Sequence, residues 1–105
     1  MEILSINKFR KLCIKSAFKN FYFSQDYQPG GDMQDMKLSA EFDKLIVVLN
    51  PNRICLKNKF GTLCFGRVKF VIHFDSETQH KDTFGIVCGN FNNDGENITY
   101  VIGAF

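Results

Sequence analysis

Few side chains in this sequence could do chemistry. They are two histidines, His73 and His80, four cysteines, Cys13, Cys55, Cys64 and Cys88, and eleven carboxylates. A cysteine–histidine pair works only in contact, where the imidazole can take the thiol proton. His73 falls beside Lys69 on the polar side of a strand, with Cys64 or Cys88 as its thiol neighbours, and is read as a solvated or rim histidine. Asp75, Glu77, His80 and Asp82 put four ligand-type residues into one short stretch. Their spacing fits no defined metal loop, and the segment reads as an acidic surface loop. Asp94-Gly95-Glu96 is turn chemistry without the repeated acids or distal Glu of a calcium loop. Pro29-Gly30-Gly31 lacks the Lys-Ser or Lys-Thr pair that holds phosphates, and no G-x-S-x-G or H-E-x-x-H occurs. No catalytic residue, metal or cofactor is assigned, and the expectation is a non-enzymatic protein.

Binding chemistry is better represented. Lys8, Lys11, Lys15 and Lys19 recur at spacings of three and four, one row along a helix. Arg53, Lys57, Arg67 and Lys69 form a second basic group. Such rows suit phosphates or an acidic protein, and equally serve as a solvated helix face. Asp26, Asp32 and Asp35 form an acidic stretch that can imitate phosphates against a basic partner. The whole chain carries a net charge of only +2, but the charge comes in blocks. Residues 1–23 hold five cations against one acid, 24–50 two against five, 51–74 five against none, and 75–105 one against five. If the blocks segregate on the surface they steer association and favour self-association.

The elements that position these groups follow from periodicity. Residues 6–22 predict an amphipathic helix, with Ile6, Phe9, Leu12, Cys13, Ala17 and Phe21 on one arc and Ser5 or Asn7 as the cap. Residues 24–37, which include Pro29-Gly30-Gly31, predict a long loop. Residues 38–105 predict a sheet of about five strands in a twisted antiparallel meander, with the helix across its concave face. The fold class is thus α+β in a single domain, 1–105. Residues 36–44 fit both periods, and strand is favoured.

The central strand is read as residues 61–74, GTLCFGRVKFVIHF, with a bulge at Gly66 that brings Leu63, Phe65, Val68, Phe70, Ile72 and Phe74 onto one apolar face. A loop at Asn58-Lys59-Phe60-Gly61 places Leu56 opposite Leu63, Ile54 opposite Phe65 and Cys55 opposite Cys64. Asn92-Asn93-Asp94-Gly95 is the strongest turn signal before the last strand. That final hairpin carries Ile86, Val87, Val101, Ile102, Phe91 and Phe105, apolar on both faces. A sheet with one solvated face does not need that, so a covering segment, a partner or a second copy is expected.

The N-terminus is broken by charges too early for a signal peptide, and no run approaches membrane-spanning length. The location expected is cytoplasmic, with the cysteines as buried reduced thiols and any Cys55–Cys64 bridge adventitious. The Asn97-Ile98-Thr99 sequon carries no weight there. The function expected is a small protein-binding module, an adaptor or inhibitor that occludes a surface on another protein. Stand-alone proteins of mobile elements, such as anti-CRISPR or toxin-immunity proteins, are of this kind. A homodimer is a further expectation. The alternatives are a nucleic-acid-binding domain that uses the lysine row, and an enzyme or small-ligand carrier with a pocket between helix and sheet. Membrane binding is not expected, since the helix's apolar face is needed by the sheet and has no Trp.

Overall fold

The computed structural model describes residues 1–27, 36–74, 82–89 and 97–105, with the backbone alone for 25–27 and 36–38. Among these residues are one short helix and nine strands in two sheets. The α+β class stands, but the single five-stranded meander does not.

Strand β1 (Glu2–Leu4) leads into helix α1 (Ile6–Ser16). Ser5 caps the helix, its side chain accepting from the Lys8 N–H at 3.2 Å. Ala17 ends it in the left-handed region (φ 52°), with its N–H on Ile14 O at 3.2 Å. The helix therefore stops six residues short of the expected end. Phe21 explains the misreading, because both periods turn it inward. It is buried as the first residue of β2 (Phe21–Tyr27), a Phe-Tyr-Phe stretch that suits a strand. The linker is fixed to the opposite end of the chain: Lys19 N and Asn20 N donate to Phe105 O, and Phe105 N donates to Asn20 O.

The next strands are β3 (Met36–Phe42), β4 (Lys44–Leu49), β5 (Asn52–Asn58) and β6 (Gly61–Phe65). They are followed by β7 (Val68–Phe74), β8 (Asp82–Gly89) and β9 (Asn97–Ala104). The large sheet has the order β1-β7-β8-β9-β2-β3, and β4-β5-β6 form the small sheet. Every pairing is antiparallel. Both ends of the expected loop 24–37, residues 24–27 and 36–37, thus belong to β2 and β3, and the rest lies outside the described residues.

The run 61–74 is not one strand. It breaks at Gly66–Arg67, where Arg67 takes φ 51°, and passes from the small sheet to the large one. The bulge lies between Val68 and Phe70, not at Gly66. A shifted bulge exchanges the faces that follow it. Val68 and Val71 therefore point into the core, at 3% and 0% exposure, while Phe70, Ile72 and Phe74 lie half-buried on the other face.

The core lies between the inner face of the large sheet and a layer made of α1 beside the small sheet. Phe9, Ile54, Leu56, Val71, Phe84, Ile86 and Ile102 are wholly buried there. Each such side chain contributes about 1.5–3 kcal/mol through burial. Phe9 meets Phe84 edge to face at 5.0 Å, and Phe65 links the layers through Phe23 at 5.6 Å and Tyr100 at 5.1 Å. On the outer face the Phe74 ring covers Gly85, and a Cβ there would meet it at 3.0 Å. Among the described residues no helix is long and apolar enough to cross a membrane.

Candidate interaction surface

The β5–β6 hairpin has the expected register, with Ile54 opposite Phe65, Cys55 opposite Cys64 and Leu56 opposite Leu63. Asn58 shapes its turn: Oδ1 accepts from Phe60 N at 2.8 Å and Gly61 N at 3.1 Å, while Nδ2 donates to Glu41 O at 2.7 Å. These bonds hold Phe60 85% exposed, with Lys59 Nζ 5.0 Å from its ring centre.

Because Leu45, Ile54, Leu56 and Phe65 turn toward the core, the alternate residues of the small sheet face out. The outward rows are Lys44–Lys57–Thr62, Ile46–Cys55–Cys64 and Val48–Arg53. They contain three cations and no acid. None of Lys44, Arg53 and Lys57 has an acidic partner among the described residues. Lys44 and Lys57 stand directly opposite one another, an arrangement that repels.

Helix α1 lies beside β4, and the cleft between them, of about 330 Å³, is lined by Arg10, Cys13, Ile14, Phe18, Leu45 and Val47, with Asp43 as its one acid among the described residues. The helix adds exposed Lys8, Arg10, Lys11 and Lys15 to the same outer layer. Lys19 leaves the predicted row, because it follows the helix end. The two basic blocks of the sequence therefore meet on one layer. Between their cations stand exposed aliphatics, Ile14 at 71% and Ile46 at 44%.

The other predicted basic residues go elsewhere. Arg67 occupies the passage between sheets, and the Lys69 stem passes 3.3 Å from the position a Cβ on Gly89 would take. Of the acidic stretch, Asp26 pairs in register with Lys37, and Asp32 and Asp35 lie outside the described residues. Asp75, Glu77 and His80 also lie outside them, as do Phe91 and the Asn92–Gly95 turn. Among the described residues no three metal-type ligands come together.

His73 is a rim histidine rather than a solvated one, with its side chain 24% exposed. Its Nε2 bonds Asp82 Oδ1 at 2.9 Å, and its ring stacks on Phe84 at 4.7 Å. The β7–β8 register, with His73 opposite Phe84, sets His73 and Asp82 on one face two residues apart, a signal that needs the pairing to be known. Cys13 and Cys88 are buried thiols, as expected. Burial, then the Asp82 charge, pushes the Cys13 thiol up to about 12, and burial raises Cys88. Neither supplies a ready thiolate at neutral pH. Cys55 and Cys64 depart from the expected buried reduced thiols: Cys64 is exposed, and the register that sets the two opposite, with Cα atoms 4.1 Å apart, joins them in a disulfide.

On the final hairpin, Val87 is covered, at 3% exposure, while Val101 is 46% exposed and Phe105 44%. With Ile3 at 65%, these leave an open apolar area on the large sheet. Comparison with protein-family models, curated proteins and solved structures gives no match.

Proposed function

We propose that this chain is a non-enzymatic protein-binding module that occludes an acidic surface on another protein, as a cytoplasmic adaptor or inhibitor. The observation that carries this reading is the one-sided basic layer. Cations from α1, β4 and β5 surround Ile14 and Ile46 with no acid in the outward rows of the small sheet. Apolar residues inside a charged rim are the make-up of a protein interface, where charge steers encounter and buried anchors hold the complex. Such a mechanism asks nothing of the buried thiols or of His73. A second copy of the chain is a further partner in this reading, covering Ile3 and Val101 on the opposite layer.

Nucleic acid is the second reading, favoured by the Lys59–Phe60 pair, a cation beside an exposed ring on which a base can stack. The protein reading ranks first because the cations of the small sheet adjoin aliphatic side chains, which give bases no stacking surface.

The test compares immobilised wild-type protein with the Lys44→Glu/Arg53→Glu/Lys57→Glu variant in nuclease-treated and untreated host extract. A nuclease-resistant protein held at stoichiometric level by the wild type alone, and released by salt, is the expected result. Capture that vanishes with nuclease transfers the basic layer to nucleic acid. Capture indifferent to the three substitutions rejects the layer as the docking surface.

A further inference from the structure

The four cysteines divide into two classes. Cys13 and Cys88 are buried thiols in the core. Cys55 and Cys64 are bridged on the outward face of the small sheet, within its basic rows. Cys55 is only 5% exposed, whereas Cys64 is exposed on β6, an edge strand. Arg53 and Lys57 flank Cys55 on the same face of β5, and Lys44 stands across from Lys57. The bridge joins strands already paired by their backbones, so the hairpin does not depend on it for its register.

We propose that Cys55–Cys64 is a reversible redox pair whose co-reactant is a small anionic thiol of the glutathione type. Thiol–disulfide exchange begins when a thiolate attacks one sulfur in line with the bond. Access decides which sulfur. Cys64 is the exposed residue of the pair and Cys55 the buried one, so attack falls on Cys64. The incoming thiolate bonds to Cys64 Sγ as the S–S bond breaks, and Cys55 leaves as a thiolate beside Arg53 and Lys57. A second thiolate then attacks the incoming sulfur of the mixed disulfide. This releases the small-molecule disulfide and leaves Cys64 as a thiolate. Two thiols of the co-reactant are oxidised, the protein disulfide gains two electrons, and both protein thiolates take protons from water. The reverse sequence restores the bridge.

The cations give this exchange a preference by charge. Lys44, Arg53 and Lys57 have no acidic partner among the described residues, so their field attracts an anionic thiolate and repels a cationic thiol. The exposed thiol of the reduced pair, among cations and beside a resolving partner, has the surroundings of a redox-sensor cysteine. Cys13 and Cys88 stay outside the cycle. The chemistry needs no docked partner, so it stands or falls separately from the docking reading.

The experiment follows reduction of the native full chain by glutathione and by cysteamine at equal thiolate concentration. Each rate is divided by that on an uncharged linear disulfide, which removes intrinsic nucleophilicity. Glutathione is expected to be favoured roughly tenfold at low salt, with the preference collapsing at high salt. Arg53→Gln/Lys57→Gln should reduce the preference without salt. The salt series on the wild type keeps the test decisive if that variant fails to fold. Peptide mapping of the trapped mixed disulfide should find the adduct on Cys64. Reduction that occurs only in denaturant, equal normalised rates for the two thiols, or an adduct on Cys55 would each overturn the proposal.

Discussion

Lys57→Glu should make the protein more stable while it abolishes docking. Lys44 and Lys57 are cross-strand neighbours on a solvent face, with no acid in the same row. Two ammonium groups about 7 Å apart repel by roughly 0.6 kcal/mol in water. A directly opposed Glu–Lys pair gains about 0.2–1 kcal/mol instead. Replacing repulsion by attraction therefore adds about 0.8–1.6 kcal/mol at low ionic strength. For a domain of this size that is a rise in melting temperature of roughly 3–13 °C. Urea unfolding of the wild type, Lys44→Glu, Lys57→Glu and the double variant closes a double-mutant cycle. Both single variants should gain stability. The double variant restores like charges and should fall back toward the wild type. High salt should shrink all the differences, since the Debye length falls to a few ångströms. A destabilised Lys57→Glu, or a double variant as stable as the singles, would refute the facing-lysine geometry. Stability gained together with docking lost would identify the cluster as one kept for binding at the expense of the fold.

Two further outcomes test the core. Phe9→Ala removes a ring with no exposed surface that packs edge to face on Phe84, and should lower unfolding free energy by about 3–5 kcal/mol; a loss under 1 kcal/mol in denaturant titration would contradict the placement of α1 on the large sheet. The raised thiols of Cys13 and Cys88 predict an alkaline weakness. Each is protonated when folded and ionises first when unfolded, so its stabilisation is complete below about pH 9 and is lost as pH rises from 9 toward the folded value of about 12 for Cys13. Cys13→Ala should flatten the fall in stability over that window, and an unchanged slope would count against a buried thiol at this position.

What could be read from the sequence was local. The Asn58–Gly61 turn and the alternation on either side fixed the β5–β6 register, including Cys55 against Cys64. Strand rather than helix at 36–42 likewise followed from alternation. What was missed depended on distant pairing. β1 has three residues, too few for a periodic signal, and exists because Ile3 and Leu4 pair with Ile72 and Val71. β2 is hidden from local pattern because Phe21 suits either period, and its place between β9 and β3 leaves no local mark. The change of sheet at Gly66–Arg67 lies inside a long β-type run, where both faces are rich enough in Val, Ile and Phe to allow two phases. Of the basic surface, the separate rows on the helix and β5 were legible. Their union was not, since it follows from α1 packing beside β4.

The strand order also constrains folding during synthesis. β4, β5 and β6 pair with immediate neighbours, so the small sheet is complete once residue 65 has left the ribosome. β2 and β3 have each other from an earlier stage, but the strand that joins them to β7 and β8 is β9, made last. Until it arrives, Phe21 and Phe23 lack the Ala104 and Ile102 backbone beside them, and the β2–β3 hairpin shows an unpaired edge. Non-local pairings of this kind slow folding and lengthen exposure to aggregation. A ribosome stalled before residue 97 should therefore display a protease-resistant β4–β6 unit beside a protease-sensitive β2–β3 hairpin.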